Sequence, residues 1–332
     1  MKIGIFLATQ WPEGADLGSE IDNLCAQVRA CREAGFASVW IGQHFLTGPK
    51  MQMLQLGPLL ARLAPEGKGM TFGPAILLLS MQNPVIVAED AASLDWITDG
   101  NFILGVGMGY RREEFEALEV PFSHRVGRLR ESIELIRRLW TEDRVQHQGR
   151  YFKVDDLGAS IRPKRPGGPP IWLAGEVEAA VRRAAGLGDA WMAPPTVTYD
   201  GVEALLASYR EARAEAGLGA PAEQPLIREC AIGATPEAAM ATARGPLLYK
   251  YESYASWGQA DSAGQSLADT FDDFVRDRFI IGDEAGVVDE LKRYRDSLGI
   301  DHMILRLQWP GLSQAATIDA IERIGTAAAK LG

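Results

Sequence analysis

Apolar runs and amphipathic stretches alternate along nearly the whole chain, which predicts that strands and helices alternate as well. The run at 70–79 is apolar without interruption, as expected of a strand buried on both faces of a parallel sheet. Pro84 then begins a helical segment, at the position where the missing N–H of proline costs no hydrogen bond. In all, eight segments are predicted as strands: 3–8, 37–42, 70–79, 102–106, 170–174, 189–193, 226–233 and 302–307.

Helical segments separate these strands. The best defined is 123–141, where apolar side chains recur every three or four residues and Ser123 is the expected N-cap. The others are predicted at 19–34, 56–64, 84–97, 176–185, 199–216, from 236 onward and at 313–330. Eight strand–helix units predict a single (β/α)8 TIM-barrel domain over residues 1–332. The alternative is an open doubly wound sheet, but no G-x-G-x-x-G follows the first strand.

Two segments exceed the eightfold count and are expected to be insertions. One is a hairpin and a proline- and glycine-rich loop at about 143–169. The other, at about 249–281, contains three tyrosines and a tryptophan (Tyr249, Tyr251, Tyr254 and Trp257), then an extra helix through 271–279. A long insertion in a compact fold is more often a lid or binding loop than a purely structural excursion, and a lid is expected here.

Charge and composition narrow the class of partner. The 332 residues carry a formal net charge of −10 and a pI of about 5.1, without a long basic run, which argues against nucleic acid and anionic membranes. The sequence contains no apolar stretch of membrane-spanning length and enters its first strand at once, so a cytoplasmic protein is expected. Cys25, Cys31 and Cys230 lack metal-ligand spacing and are interpreted as packing residues.

Few side chains able to do acid–base or covalent chemistry are predicted at the carboxyl ends of strands, where barrel active sites lie. His44 follows the second strand and is the main candidate, with a structural role as the alternative. His302 is at the opposite end of its strand, and the scattered histidines do not predict a metal centre. No lysine falls at the end of a predicted strand, which weakens a Schiff-base mechanism. An organic cofactor would supply the missing chemistry.

Three further places could contact such a ligand. The glycines of Gly107-Met108-Gly109 let the backbone approach a flat ligand closely. Gly175-Glu176-Val177 lies where a helix is predicted to begin, which is either an anion site or an ordinary helix start. Arg306 and Gln308 close the last strand, where the arginine either reaches an anionic or polar ligand or forms a surface salt bridge.

In combination, several segments of this chain resemble the bacterial luciferase-like flavin monooxygenase superfamily, over nearly the whole length. The segments that carry the resemblance are 35–40 leading to His44-Phe45, 75–76 through Asn83-Pro84, 88–90 with 94–95, 105–110 leading to Glu114-Phe115, 128–140, the turn at Gly175, and 299–302. The resemblance implies a (β/α)8 barrel that places reduced FMN, or the deazaflavin F420 in one branch, over the carboxyl ends of the strands.

The resemblance also implies residues for the cofactor. A cis peptide bond at Ala75–Ile76 would form a bulge against the flavin ring. The phosphate would lie at Gly175, Glu176 and Val177. The glycine loop of the fourth strand would be Gly107, Met108, Gly109 and Tyr110, and the insertion at 249–281 would be the lid.

Three residues depart from the luciferase pattern. Gln43 precedes a single His44 where luciferases have two adjacent histidines, so the role of catalytic base transfers poorly. Met108 replaces a luciferase arginine, and Glu176 puts a carboxylate in a phosphate turn without Ser or Thr. These departures indicate another branch of the superfamily, in which backbone donors and an unidentified arginine hold the phosphate.

The leading functional expectation is a two-component monooxygenase. A separate reductase would supply reduced FMN, and the barrel would use it with O2 to oxygenate a small organic substrate beneath a water-excluding lid. His44 would act on the substrate or the oxygenated flavin, and Arg306 would position a polar group.

Two alternatives stay open. One is F420-dependent hydride transfer on the same barrel, although the acidic tail of F420 would favour a basic groove that is not obvious in the sequence. The other is a non-catalytic flavin-binding protein. By resemblance, we also expect a homodimer formed through the second and third helices.

Overall fold

The computed structural model describes residues 1–49, 51–256 and 267–331. Eight parallel strands form its centre, in the order that the sequence predicts. They are β1 Lys2–Phe6, β2 Ser38–Ile41, β3 Thr71–Pro74, β4 Leu104–Gly107, β5 Ile171–Ala174, β6 Ala190–Met192, β7 Pro225–Ile232 and β8 His302–Arg306.

These strands are joined into an α/β barrel. Regular parallel pairing links β7, β8, β1, β2 and β3 in one sheet and β4, β5 and β6 in another. Parallel bridges connect the two sheets at both seams, Phe72 to Phe102 and Ala193 to Leu226. Backbone hydrogen bonds support each bridge, such as Ile103 N to Phe72 O at 3.0 Å and Ile227 N to Ala193 O at 2.9 Å.

Helices surround the strands and cover their apolar outer faces. They are α1 Leu17–Glu33, α2 Leu56–Leu63, α3 Pro84–Ile97, α4 Arg112–Ala117, α5 Arg125–Thr141, α6 Glu178–Leu187, α7 Tyr199–Glu215, α8 Pro236–Ser256, α9 Leu267–Val275, α10 Glu284–Leu298 and α11 Gln314–Ala328. Inside the barrel, the Trp40 and Trp172 rings stack at 5.1 Å between centroids. None of the helices in the described ranges is long and apolar enough to cross a membrane.

Short strands and helices lie outside this barrel pattern. Gln10–Pro12 pairs with Met51–Met53, and Val145–Gln148 pairs with Lys153–Leu157 as the predicted hairpin. Ile280–Gly282 extends the sheet beside β7. The region at 249–281 contains the end of α8 and all of α9, whereas Trp257 and the rest of 257–266 lie outside the described residues.

Two local predictions need correction. The predicted strand at 70–79 is interrupted after Pro74 and resumes as Leu77–Leu78, which pairs with β4, before a 3-10 turn at Leu79–Met81. Ser123 does not cap α5, because a 3-10 turn at Phe122–His124 precedes the helix and His124 occupies the N-cap position. The three cysteines are buried and unpaired, in agreement with a packing role.

A buried polar network lies at the amino ends of the strands, the face of a barrel that serves stability. His302 Nδ1 lies 2.6 Å from Glu223 Oε2, and His302 Nε2 lies 2.7 Å from Ser38 Oγ. Burial of Glu223 opposes ionisation, but hydrogen bonds from His302 and Lys2 outweigh it and lower the pKa of Glu223 from 4.5 to about 2. His302 therefore has the structural role that the sequence predicts.

We expect this network to make stability depend on acid pH. The folded state depresses the pKa of Glu223. The ionised Glu223 therefore stabilises the fold above pH 4.5, and this stabilisation is lost as pH falls towards 2. Measured by urea unfolding, the free energy of unfolding of wild type should fall by roughly 3 kcal/mol more over that pH range than that of Glu223→Gln. The control is Glu203→Gln, at an exposed acid on α7, which should behave like wild type. Equal losses in wild type and Glu223→Gln would contradict the assignment.

Candidate active site

A cavity of about 220 Å³ opens at the carboxyl ends of the barrel strands. Both the predicted catalytic residues and several predicted cofactor residues line it: His44, Ala75, Ile76, Gly109, Tyr110, Glu176 and Arg306. The other predicted cofactor residues, Gly107, Met108, Gly175 and Val177, do not line this cavity. Most of the remaining wall is apolar, which suits a flat organic ligand.

His44 is held by a buried carboxylate. Glu114, on α4, is 1% exposed, and its Oε1 lies 3.0 Å from His44 Nδ1. The same oxygen accepts hydrogen bonds from Phe45 N at 2.8 Å and Arg111 Nη1 at 3.2 Å. Since an ionised carboxylate only accepts hydrogen bonds, the neutral imidazole carries its proton on Nδ1 and is basic at Nε2.

The interruption after β3 is stabilised by packing of the Ile76 side chain against β4. The Ala75–Ile76 peptide bond is cis, as the resemblance implies, and both residues line the cavity. A Cβ on Gly107 would lie 1.9 Å from Ile76 Cδ1, so Gly107 is needed to admit the Ile76 side chain. Gly107 therefore supports the bulge from behind, and its contact with a cofactor stays a prediction.

The loop after β4 turns at Gly109, whose φ of +80° lies in the left-handed region that favours glycine. The following Tyr110 lies edge-on to His44, with ring centroids 5.8 Å apart. Met108 faces away from the cavity and towards α6, where Arg183 Nη1 lies 3.8 Å from its Sδ. This loop thus contributes to two places, the cavity wall and the neighbourhood of Arg183.

The predicted phosphate turn precedes α6, which begins two residues later than the sequence predicts. Val177 is the N-cap residue and makes no side-chain capping bond. Gly175 packs closely on the helix, since a Cβ there would lie 2.7 Å from Ala180 Cβ. Glu176 and Val177 are both exposed. The positive end of a helix dipole is suited to an anion.

Arg183, on α6, is a further charged candidate, and its guanidinium lies beside Met108 of the β4 loop. Burial, then the positive charges of Arg130 and Arg125, lower its pKa from the ordinary arginine value. Within the described ranges, Arg183 forms no salt bridge with a carboxylate. Arg183 of α6 therefore feels the positive charge of two arginines of α5, which favours an anionic group near its guanidinium. These residues and donors fit the phosphate of a flavin or deazaflavin.

A second charged cluster forms the wall near the end of β8. Glu229 of β7 is fully buried and accepts hydrogen bonds from Lys250 Nζ, from Tyr251 OH at 3.0 Å and from Trp309 Nε1. Arg306 Nη1 lies 4.0 Å from the same carboxylate. The guanidinium of Arg306 covers the Phe6 ring, with Cζ 3.8 Å from its centroid.

Sequence reasoning missed Lys250, Glu229 and the role of Glu114. Lys250 lies on α8, not at the end of a strand, and reaches the cavity from that helix. The charged pair Arg228-Glu229 within an apolar strand is the signal for buried partners. Arg228 has a different partner on the other side of the strand, because its Nε donates a hydrogen bond to Tyr294 OH at 2.9 Å.

The predicted lid contributes in part. Tyr251 lines the cavity, whereas Tyr249 is 55% exposed. The side chain of Tyr254 lies outside the described residues. The described part of the region therefore supplies one wall of the cavity, through Lys250 and Tyr251.

Comparison with known proteins agrees with this fold. The model of the luciferase-like monooxygenase family matches residues 1–302. The chain is 32% identical to the F420-dependent hydroxymycolic acid dehydrogenase of Mycobacterium tuberculosis, over 52% of this chain and 49% of that protein. It thus spans about half the length of that relative.

Another relative is matched over almost its full length. The F420-dependent glucose-6-phosphate dehydrogenase of Intrasporangium calvum is 28% identical, over 94% of this chain and 96% of that protein. Among solved structures, the monooxygenase RslO1 from Streptomyces bottropensis superposes with a TM-score of 0.85 at 20% identity, covering 99% of each chain. That structural likeness supports the shared fold.

Proposed function

The chain belongs to the luciferase-like monooxygenase family, and we propose that within it the protein is an F420-dependent oxidoreductase that interconverts a small alcohol and its carbonyl product. The relatives named above support F420 over FMN as the cofactor. The observation that carries the proposal is the cavity-lining His44, whose Nδ1 lies 3.0 Å from the buried Glu114 and which is placed for proton transfer. Arg183, which feels the positive charges of Arg125 and Arg130, would add attraction for an acidic cofactor tail.

The residues that would hold F420 lie along one side of the barrel mouth. Arg183 and the uncapped end of α6 would bind the phosphate. Ala75, Ile76 and Tyr110 would contact the ring system. When bound, F420 supplies a hydride acceptor, or a hydride donor in its reduced form.

The protein would supply the proton transfer and the orientation of the substrate. As a substrate hydroxyl is oxidised, His44 Nε2 would accept the proton of its O–H bond. The imidazolium that forms would be stabilised by Glu114, which already accepts from Nδ1 at 3.0 Å. In the reverse direction, the same nitrogen would return the proton to the carbonyl oxygen.

A second candidate is the FMN-dependent monooxygenase that the sequence predicts, supported by the description of the matched family. The separate reductase and the use of O2 belong to this candidate. The homodimer remains a prediction for either candidate, and the exposed Ile86, Trp96 and Ile97 on α3 offer apolar surface for it.

Arg183→Ala tests the cofactor site, and Arg182→Ala is its matched control. Arg182 is the neighbouring residue on α6 and pairs with Glu211 and Glu215 at the surface. Because a hydrogen-bonded charge pair is lost, fluorescence titration should show F420 binding about tenfold weaker in Arg183→Ala. Arg182→Ala should bind F420 as wild type does. Equal affinities in all three proteins would contradict this assignment.

A further inference from the structure

The cluster around Glu229 presents positive charge to the cavity. Lys250 and Arg306 both line the cavity, whereas Glu229 lies behind them and is 0% exposed. The side chains of Lys250 and Arg306 are 5% and 13% exposed. The cluster therefore places two basic side chains on the cavity wall and its carboxylate behind them.

The contacts of Glu229 determine where the charged groups of Lys250 and Arg306 lie. Tyr251 and Trp309 donate to the two carboxylate oxygens, so Glu229 is satisfied by groups besides the two cations. Phe6 holds the guanidinium of Arg306 against the barrel wall. Burial and then the nearby charge of Arg306 lower the pKa of Lys250, while Glu229 opposes this. An anion in the cavity would relieve the repulsion between the two cations.

We propose that Lys250 and Arg306 form a subsite for a carboxylate of the substrate, with Glu229 as the buried counter-ion that positions both. This inference rests on the proposed function. It assigns small hydroxy acids and oxo acids as the substrate class. Two basic side chains on one wall of the cavity supply hydrogen-bond donors for a carboxylate. The subsite lies at the end of β8, apart from the arginines beside α6 that would bind the cofactor phosphate.

Benzoate and benzamide are suitable probes because they share a shape and differ in charge. Isothermal titration of wild-type protein without cofactor should show benzoate binding and at least tenfold weaker binding of benzamide. Arg306→Gln should reduce benzoate affinity about tenfold or more and leave benzamide unchanged. This variant keeps the Glu229–Lys250 pair, and thermal unfolding will show that it is folded.

Arg244→Gln is the matched control. Arg244 lies in the middle of α8 and pairs with Asp272 at the surface. It should bind benzoate as wild type does. Equal binding of benzoate and benzamide, no benzoate binding by wild type, or unchanged benzoate affinity in Arg306→Gln would each overturn the proposal.

Inorganic phosphate distinguishes the kind of anion. If phosphate binds in an Arg306-dependent way and benzoate does not, the carboxylate assignment is overturned. Because these titrations contain no F420, their outcome is independent of cofactor use. Failure of the subsite would leave the proposed hydride transfer standing, and failure of F420 binding would leave the subsite standing.

Discussion

Replacement of His44 by alanine is expected to lower the turnover number by about 10²- to 10⁴-fold, the usual contribution of a general acid or base. The reason is geometric. His44 lines the cavity, and because its Nδ1 lies 3.0 Å from Glu114, proton exchange with the substrate falls to Nε2. Turnover is measured as the loss of F420 absorbance with the small hydroxy acid that wild type oxidises fastest. Binding of F420 should remain within about threefold of wild type.

Two further variants separate catalysis from a merely structural role for His44. His124→Ala removes a histidine from the 3-10 turn before α5, outside the cavity, and should leave turnover unchanged. Glu114→Gln should lower turnover less than His44→Ala, and the double variant should be no slower than His44→Ala, because the two residues act as one unit. If His44→Ala kept a tenth or more of wild-type turnover, His44 would not be the proton-transfer group.

Replacement of Glu229 by glutamine is expected to lower the free energy of unfolding by about 3 kcal/mol or more, because it leaves buried cations without their counter-ion. Glutamine preserves the shape and an acceptor for Tyr251 or Trp309 and removes the charge. The measurement is urea unfolding at neutral pH. Substitution of the exposed Glu252, Glu252→Gln, is the control and should change stability by less than about 0.5 kcal/mol.

A double variant shows whether charge is the cause. Glu229→Gln with Lys250→Met removes both members of the buried pair, and we expect it to recover part of the lost stability. Recovery would show that unpaired charge, and not loss of packing, destabilises the single variant. A loss below about 1 kcal/mol in Glu229→Gln alone would contradict the view that Glu229 is the counter-ion of the cluster.

The barrel could be predicted from the sequence because its eight strands and the helices between them follow simple periodic patterns. The bounds of α3 agree to the residue, since Pro84 marks its start and Asp99-Gly100 its end. Strand three could not be predicted in detail, because its break depends on how Ile76 packs against Gly107. The Ser123 cap was wrong because a 3-10 turn occupies that position.

The site could be predicted only where its residues follow strands directly. His44 follows β2, Arg306 is the last residue of β8, and both line the cavity. Lys250 and Arg183 could not be found in this way, because each projects from a helix and meets its neighbours only in three dimensions. The same reason hid the basic group of Arg125, Arg130 and Arg183, which comes from two separate helices.

The central claim, F420 as the cofactor, is tested most directly by titrating wild-type protein with F420 and FMN side by side. We expect saturable binding of F420 that is at least about tenfold tighter than binding of FMN, because an acidic tail would gain contacts with the arginine group beside α6. Tighter binding of FMN, or no binding of F420, would contradict the account and restore the monooxygenase as the leading candidate.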